Sequence, residues 1–171
     1  MERRRFLTAL TVGASGLLGV LVSIPLVGHL FAPLTRKASG ADAPIDLGPV
    51  SDFPVGQPVR VAFPVRIEDG WAVTEGERSA WVVRNGSDQV HVFTTTCPHL
   101  GCSVEWAPKR DEFSCPCHDS GFGKDGAKLH GPSRRGLDAL PVEVKADRLV
   151  VRHVEYVPGI ADKRRLDGRD A

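Results

Sequence analysis

The sequence has almost no net charge, because 22 lysine and arginine residues stand against 21 aspartate and glutamate residues in a chain of 171. Chains that bind nucleic acid carry a basic excess, so this balance indicates no nucleic-acid or strongly acidic partner. Charge of either sign is also absent from Phe6 to Thr35, a run of 30 residues. The remainder, about 130 residues, is enough for one domain.

Cysteine is scarce as well, and all four cysteines lie in two short boxes. They are Cys97-Pro98-His99-Leu100-Gly101-Cys102 and Cys115-Pro116-Cys117-His118-Asp119-Ser120-Gly121-Phe122. Four cysteines allow two disulfides in three connectivities, but that interpretation leaves His99 and His118 without a role. Structural zinc sites favour Cys-x₂₋₄-Cys and His-x₃₋₅-His spacings, which the Cys-x-His and Cys-x-x-His intervals fit poorly.

The two boxes resemble those of the Rieske [2Fe–2S] family, in which two histidines replace two cysteines on one iron. The resemblance fixes six side chains in boxes that are 12 residues apart. It implies one [2Fe–2S] cluster, with the inner iron held by Cys97 and Cys115. The outer iron would be held by one ring nitrogen each of His99 and His118.

The same resemblance implies a disulfide between Cys102 and Cys117 that ties the two loops together. A bridge across about 15 residues restrains the unfolded chain and is worth roughly 3 kcal/mol. Disulfides persist in oxidising compartments. The resemblance therefore implies that the domain lies outside the cytoplasm.

The resemblance also implies roles for further positions near the cluster. Leu100 is expected to shield the cluster, Ser120 to donate a hydrogen bond to a bridging sulfide, and Gly131-Pro132-Ser133 to form a proline loop that covers it. Phe122 departs from ubiquinol-type members, which carry a tyrosine whose hydroxyl reaches a cysteine sulfur. Asp119 replaces the usual glycine and adds a negative charge. Both departures lower the expected reduction potential, which favours menaquinol as the donor.

The histidines near the two boxes are expected to have different roles. A solvent-facing imidazole accepts a hydrogen bond and a proton near neutral pH, which a buried thiolate pair does not. Either His99 or His118 is therefore expected to contact quinol, and the family resemblance favours His118. His130, next to Gly131 in the loop region, is expected at the surface, with a position near the cluster as the alternative.

The N-terminus predicts export and anchoring. Arg3-Arg4-Arg5-Phe6-Leu7 matches a twin-arginine signal, although a general secretion signal also has a positive start. The uncharged run exceeds the roughly 20 residues that cross a bilayer. We therefore expect an anchor over residues 1–32 that spans about Phe6 to Phe31, while Ala41-Asp42-Ala43 leaves cleavage open. The positive-inside rule places the arginines in the bacterial cytoplasm and the domain on the periplasmic, outer side.

The remaining pattern predicts an all-β Rieske fold, an antiparallel base domain with an inserted cluster-binding subdomain. Short alternating strands flank Asn85-Gly86 and Ala146-Asp147, which favours two hairpins. The predicted divisions are a flexible hinge linker over 33–49, a Rieske domain over 50–157 with the subdomain at about 94–135, and a solvated tail over 158–171.

The leading functional hypothesis is the iron–sulfur subunit of a bc-type quinol–cytochrome c reductase, an electron-transfer subunit of the respiratory chain. The family resemblance implies cytochrome b and a c-type cytochrome as partners and quinol as substrate. The alternative is the small Rieske subunit of a molybdenum oxidase such as arsenite oxidase. A soluble Rieske ferredoxin is less consistent, because those carriers lack the disulfide cysteines and the anchor.

Overall fold

A computed structural model describes residues 2–35, 43–69, 72–86 and 89–168. Helix α1 runs over Glu2–Thr35, and its segment Glu2–Phe31 has a mean hydropathy of 2.1. By length and composition this segment can cross a membrane, as the sequence predicts. The predicted linker is wrong at its start, because residues 33–35 continue the helix.

Ten strands follow the helix within the described ranges. They are β1 (Pro44–Pro49), β2 (Val59–Asp69), β3 (Ala72–Arg84), β4 (Val90–Thr94), β5 (Glu105–Ala107), β6 (Glu112–Cys115), β7 (Ser120–Phe122), β8 (Lys128–His130), β9 (Val142–Lys145) and β10 (Arg148–Arg152). They form three sheets, in the orders β1-β10-β9, β2-β3-β4 and β5-β6-β7-β8. A short 3₁₀-helix, Val50–Asp52, follows β1.

Both predicted hairpins are present. Strands β3 and β4 pair antiparallel, with Arg84 opposite Val90. Strands β9 and β10 pair with Lys145 opposite Arg148. Ala146 and Asp147 between them have φ angles of 46° and 64°, the left-handed pair that a tight two-residue turn needs.

Two buried clusters of apolar side chains underlie the sheets. The base cluster joins the β1-β10-β9 and β2-β3-β4 sheets and includes Phe63, Val82 and Leu149. The second cluster contains Phe113 and Phe122 together with the two cysteines of the boxes that remain free thiols. The four-stranded sheet β5–β8 falls within residues 94–135, between β4 and β9 in the chain. The chain therefore passes from β4 of the base into this sheet and returns from it to β9 of the base.

The linker prediction is also wrong at its end, because residues 44–49 form β1. Strand β1 pairs antiparallel with β10, and Ile45 faces Val151. Ile45 and Leu47 pack against the base cluster. Their two-residue alternation is a strand signal that the surrounding Pro44, Gly48 and Pro49 obscured. Residues 36–42 of the predicted hinge lie outside the described residues.

Most residues of the predicted solvated tail are exposed within 158–168, as expected, but specific contacts hold this part of the chain. The backbones of Tyr156 and Arg165 pair in an isolated antiparallel β-bridge. The Leu166 N–H donates to the Glu155 carbonyl at 2.9 Å. The Arg165 guanidinium pairs with Asp167 at 2.9 Å. The charge-rich composition predicted this exposure, but it did not predict the backbone and ionic contacts that fold the segment back on itself. We call residues 155–168 the C-terminal segment.

Candidate metal centre

The first box forms a tight loop between β4 and β5. The Cys97 N–H donates to the Cys102 carbonyl at 2.7 Å, and the Gly101 N–H donates to the Cys97 carbonyl at 2.9 Å. Gly101 has a φ of +85°, which favours glycine at this position. The loop buries Cys97 completely, leaves His99 half-buried and exposes 61% of Leu100. It therefore presents one thiol inward and one imidazole towards the surface.

The second box forms a similar loop between β6 and β7. Cys115 ends β6 and pairs with Ser120, which begins β7. The Asp119 N–H donates to the Cys115 carbonyl at 3.1 Å, which closes the loop. Asp119 has a φ of 53°, a conformation that aspartate tolerates better than most residues. Cys115 is 1% exposed, whereas His118 is exposed.

A disulfide joins the two loops between Cys102 and Cys117, as the family resemblance implies. Cys97 and Cys115 are both free and buried. The alternative of two disulfides is therefore wrong. The sulfur atoms of Cys102, Cys115 and Cys117 lie within 4.8 Å of one another. Two of those sulfurs are bonded to each other, so this trio is not a metal-ligand set.

The two histidines of the boxes lie next to each other. The ring centroids of His99 and His118 are 4.8 Å apart, and the ring planes meet at 88°. The structure thus brings two buried thiols and two outward imidazoles onto a pair of loops that one disulfide connects. This is the donor set of a Rieske centre, with sulfur on one side and nitrogen on the other.

The surroundings of Cys97 suit a metal-bound thiolate. Burial raises the pKa of the Cys97 thiol to about 11, the backbone N–H groups of His99 and Leu100 oppose that rise, and the Cys115 thiol adds to it. A free thiol here resists ionisation, yet two amides point at its sulfur. A bound iron ion would remove that conflict, because it would neutralise the thiolate while the His99 and Leu100 amides stabilise the sulfur charge.

The predicted proline loop packs directly on the second box. Gly131 has a φ of +85°, and a Cβ there would lie 2.5 Å from the Ser120 Cα and 2.6 Å from the Asp119 carbonyl oxygen. No other residue type fits this approach without displacing the box. Pro132 is exposed beside it. Ser120, which Gly131 contacts, is fully buried, and so is Phe122 two residues later.

Three residues support the boxes, and sequence reasoning placed only Ser133, in the proline loop, near them. The Ser133 N–H donates to Ser120 Oγ at 3.2 Å. Arg135 pairs with Asp138 at 2.8 Å and also donates to carbonyls of the C-terminal segment. The Gly159 N–H donates to the Pro98 carbonyl at 2.9 Å, which connects that segment to the first box. For the other two, only the i,i+3 spacing of Arg135 and Asp138 was visible in the sequence, and that spacing alone does not place them near the site.

Comparison with known proteins agrees with this donor set. The family model described as the Rieske [2Fe-2S] domain matches residues 45–142. The menaquinol:cytochrome c reductase iron-sulfur subunit of Geobacillus thermodenitrificans is 32% identical over 153 residues, 87% of this chain and 89% of that protein. The protein of the same name from Bacillus subtilis is 34% identical over 149 residues, 85% of this chain and 87% of that protein.

Among solved structures, the chain is similar to the cyanobacterial plasma membrane Rieske protein PetC3 from Synechocystis PCC 6803. That match has 26% identity and a TM-score of 0.44, and it covers 63% of this chain and 97% of the other.

Proposed function

Because this chain belongs to the Rieske [2Fe–2S] family, we propose that it is the iron–sulfur subunit of a bc-type quinol–cytochrome c reductase. It takes an electron from menaquinol and passes it to a c-type cytochrome, with cytochrome b as the partner that forms the quinol pocket. The observation that carries this proposal is the pair of buried free thiols beside two adjacent imidazoles. Two relatives named menaquinol:cytochrome c reductase subunits, at 32% and 34% identity over most of the chain, support the reaction and the donor.

The ligand assignment follows the burial of the four side chains. Cys97 and Cys115 would hold the inner iron through sulfur, and His99 and His118 would hold the outer iron through one ring nitrogen each. When bound, the [2Fe–2S] cluster supplies a one-electron acceptor. The disulfide and the backbone bonds of both boxes hold these four donors on otherwise flexible loops.

His118 is the quinol contact in this proposal. Its side chain is exposed, whereas that of His99 is half-buried. The ring nitrogen of His118 that faces away from iron accepts a hydrogen bond from a quinol hydroxyl and then holds its proton. Leu100 is 61% exposed next to His99, so it is placed to exclude water from the same surface.

The apolar segment Glu2–Phe31 anchors the subunit in the bacterial cytoplasmic membrane. The twin-arginine pattern and the disulfide support a domain on the outer, periplasmic side. In this proposal residues 36–42, outside the described ranges, act as the hinge that lets the domain move between quinol site and acceptor.

Purification of the full chain from its native membrane tests the assignment. We expect b- and c-type haems to co-purify, and menaquinol to reduce cytochrome c through the complex faster than ubiquinol does. A preparation that contains molybdopterin and lacks both haems would contradict the proposal in favour of the molybdenum oxidase. Faster reduction by ubiquinol would reject menaquinol alone and leave the subunit assignment intact.

Proline substitutions within residues 38–42 test the hinge. Turnover should fall, because stiffening slows the movement of the domain. The EPR spectrum of the cluster should stay unchanged, because these residues lie outside the two boxes. Undiminished turnover in a double-proline variant would contradict a mobile domain.

A further inference from the structure

His130 lies against the backbone of the second box. It ends β8, and its backbone is paired with Gly121 of β7. A Cβ added to Gly121 would overlap the His130 ring at Nε2, Cδ2 and Cε1. The imidazole therefore rests on the strand that leaves the box, in a space that exists only because residue 121 has no side chain.

Both ring nitrogens of His130 face acceptors. Nδ1 is 3.0 Å from the carbonyl oxygen of Asp119, the residue after His118. A carbonyl can only accept, so Nδ1 carries the hydrogen of this bond. Nε2 is 3.2 Å and 3.3 Å from the two carboxyl oxygens of Glu112 on β6. Glu112 therefore holds the ring at Nε2, and the ring in turn holds the second box through the Asp119 carbonyl at Nδ1.

Glu112 is a buried support for this arrangement. Its side chain is 8% exposed, and Arg110 Nε lies 3.1 Å from its carboxylate. Arg110 also bonds Ser114 Oγ and lies 3.5 Å from the Asp119 carboxylate. Buried carboxylates need such partners. The network Arg110–Glu112–His130 therefore connects β6, β8 and the second box.

Asp119 is the point at which this network reaches the box. Its N–H is bonded to the Cys115 carbonyl and its carbonyl is bonded to His130, so both peptide groups beside it are fixed. Its left-handed backbone, with a φ of 53°, is less favourable than an extended or helical one. The His130 bond compensates by holding that conformation in place. Because His118 immediately precedes Asp119, the same bond restricts the backbone from which the His118 ring projects.

We propose that His130 is a positioning residue that sets the orientation of His118 towards quinol through its bond to the Asp119 carbonyl. The proposal rests on the proposed function, since it assigns His118 as the quinol contact. His130 itself touches neither quinol nor iron. It acts through the Asp119 carbonyl, and its loss loosens one cluster loop.

Three substitutions separate the two bonds of the ring. In His130→Asn the side-chain amide nitrogen, like Nδ1, is bonded to Cγ, so it can still donate to the Asp119 carbonyl. The contact that Nε2 makes with Glu112 is lost. In His130→Gln the amide nitrogen matches Nε2, so the Asp119 donor is lost. His130→Ala removes both bonds, and Lys128→Ala, an exposed position on the same strand, is the matched control.

The full chain is purified in its complex, and three properties are measured. They are hydrogen exchange in the peptide over residues 115–122, the EPR g-values of the reduced centre, and kcat and KM for menaquinol. We expect His130→Ala and His130→Gln to exchange about tenfold faster in this peptide, with altered g-values and a raised KM. His130→Asn should keep the exchange rate and KM within about threefold of wild type and should show the wild-type g-values. Lys128→Ala should match wild type in all three properties.

Equal behaviour of His130→Ala and His130→Asn would overturn the proposal, whether both resemble wild type or both are impaired. Faster exchange without any change in g-values or KM would also overturn it, because a merely structural bond has that signature. Failure of the proposed function is a separate result. In that case wild-type protein does not oxidise menaquinol, while exchange and EPR still report on His130.

Discussion

The Ser133 N–H donates to Ser120 Oγ at 3.2 Å, in a place where both side chains are fully buried. This bond occupies a lone pair of the Ser120 hydroxyl and leaves its hydrogen for another acceptor. The Ser133 hydroxyl is committed elsewhere, because it donates to the Arg135 carbonyl at 2.8 Å. The proline loop therefore leaves the Ser120 hydroxyl able to donate, as the hydrogen bond to a bridging sulfide that the family resemblance implies would require.

Ser120→Ala should lower the midpoint potential of the cluster. A hydrogen bond to a charged group is worth about 1.5–3 kcal/mol, which corresponds to a fall of about 60–130 mV for one electron. A redox titration followed by EPR measures it. Ser133→Ala is the matched control, because it keeps the backbone N–H that orients Ser120 and should move the potential much less. Equal shifts in the two variants would show that the Ser120 hydroxyl does not donate to the cluster.

Phe122→Tyr should raise the midpoint potential. Phe122 is fully buried, and the family resemblance implies that a tyrosine hydroxyl at this position reaches a cysteine sulfur. We expect a rise on the order of 50 mV. Phe113→Tyr, which adds the same hydroxyl to the neighbouring strand, controls for the cost of burying it. An unmoved or lowered potential in Phe122→Tyr would contradict the argument that a missing hydroxyl lowers this centre.

The metal-binding boxes and both hairpins could be predicted because each depends on residues close in sequence. The Cys-x-His spacing and the Asn85-Gly86 and Ala146-Asp147 turns are local signals. Strand β1 has an alternating Ile45 and Leu47, but its partner β10 lies about a hundred residues away, as Pro44 opposite Arg152 shows. Short strands with proline and glycine at their ends give too weak a local preference to reveal such a pairing.

The braces of the site could not be predicted for a related reason. His130 was expected at the surface or, as the alternative, near the cluster, and its side chain is 42% exposed; its bond to the Asp119 carbonyl was not predicted. Gly159 supports the first box from a segment that is 61 positions beyond Pro98 in the chain. A backbone hydrogen bond of this kind depends on the fold and not on the identity of either residue. No pattern in the sequence marks it.

Arg135→Ala should release the C-terminal segment. The Arg135 side chain is 10% exposed and that of its partner Asp138 is 5% exposed. The guanidinium also donates to the carbonyls of Ile160 at 2.6 Å and Val157 at 2.8 Å. Removing one partner of a buried pair costs about 3–5 kcal/mol.

Denaturant unfolding and limited proteolysis of residues 158–168 measure the effect of Arg135→Ala. Arg134→Ala, the exposed neighbour, is the control and should change neither property. Since Gly159 supports Pro98, the Arg135 variant should also lose iron faster on incubation. Unchanged proteolysis would contradict the assigned contacts.

Acid should weaken the folded domain through Glu155, which joins the C-terminal segment to β3. The His153 ring, 3.6 Å away, and the Arg78 guanidinium, 3.1 Å away, hold the pKa of Glu155 at about 2, below its ordinary 4.5. Because 3.6 Å exceeds a hydrogen bond, we assign the direct bond to Arg78. A carboxyl with a lowered pKa in the folded state stabilises the fold fully above pH 4.5 and loses that effect as the pH falls through 2.

The free energy of unfolding of the wild type should therefore decline between pH 4.5 and 2 more steeply than that of Glu155→Gln. The difference should be about 1 kcal/mol or less, since the Glu155 and Arg78 side chains are 49% and 41% exposed and solvent screens the pair. Thermal unfolding of both proteins across this range, with the disulfide intact, measures it. Glu77→Gln, an exposed carboxyl on β3, should follow the wild-type curve. If Glu155→Gln also follows that curve, the pair with Arg78 contributes nothing to the stability of the domain.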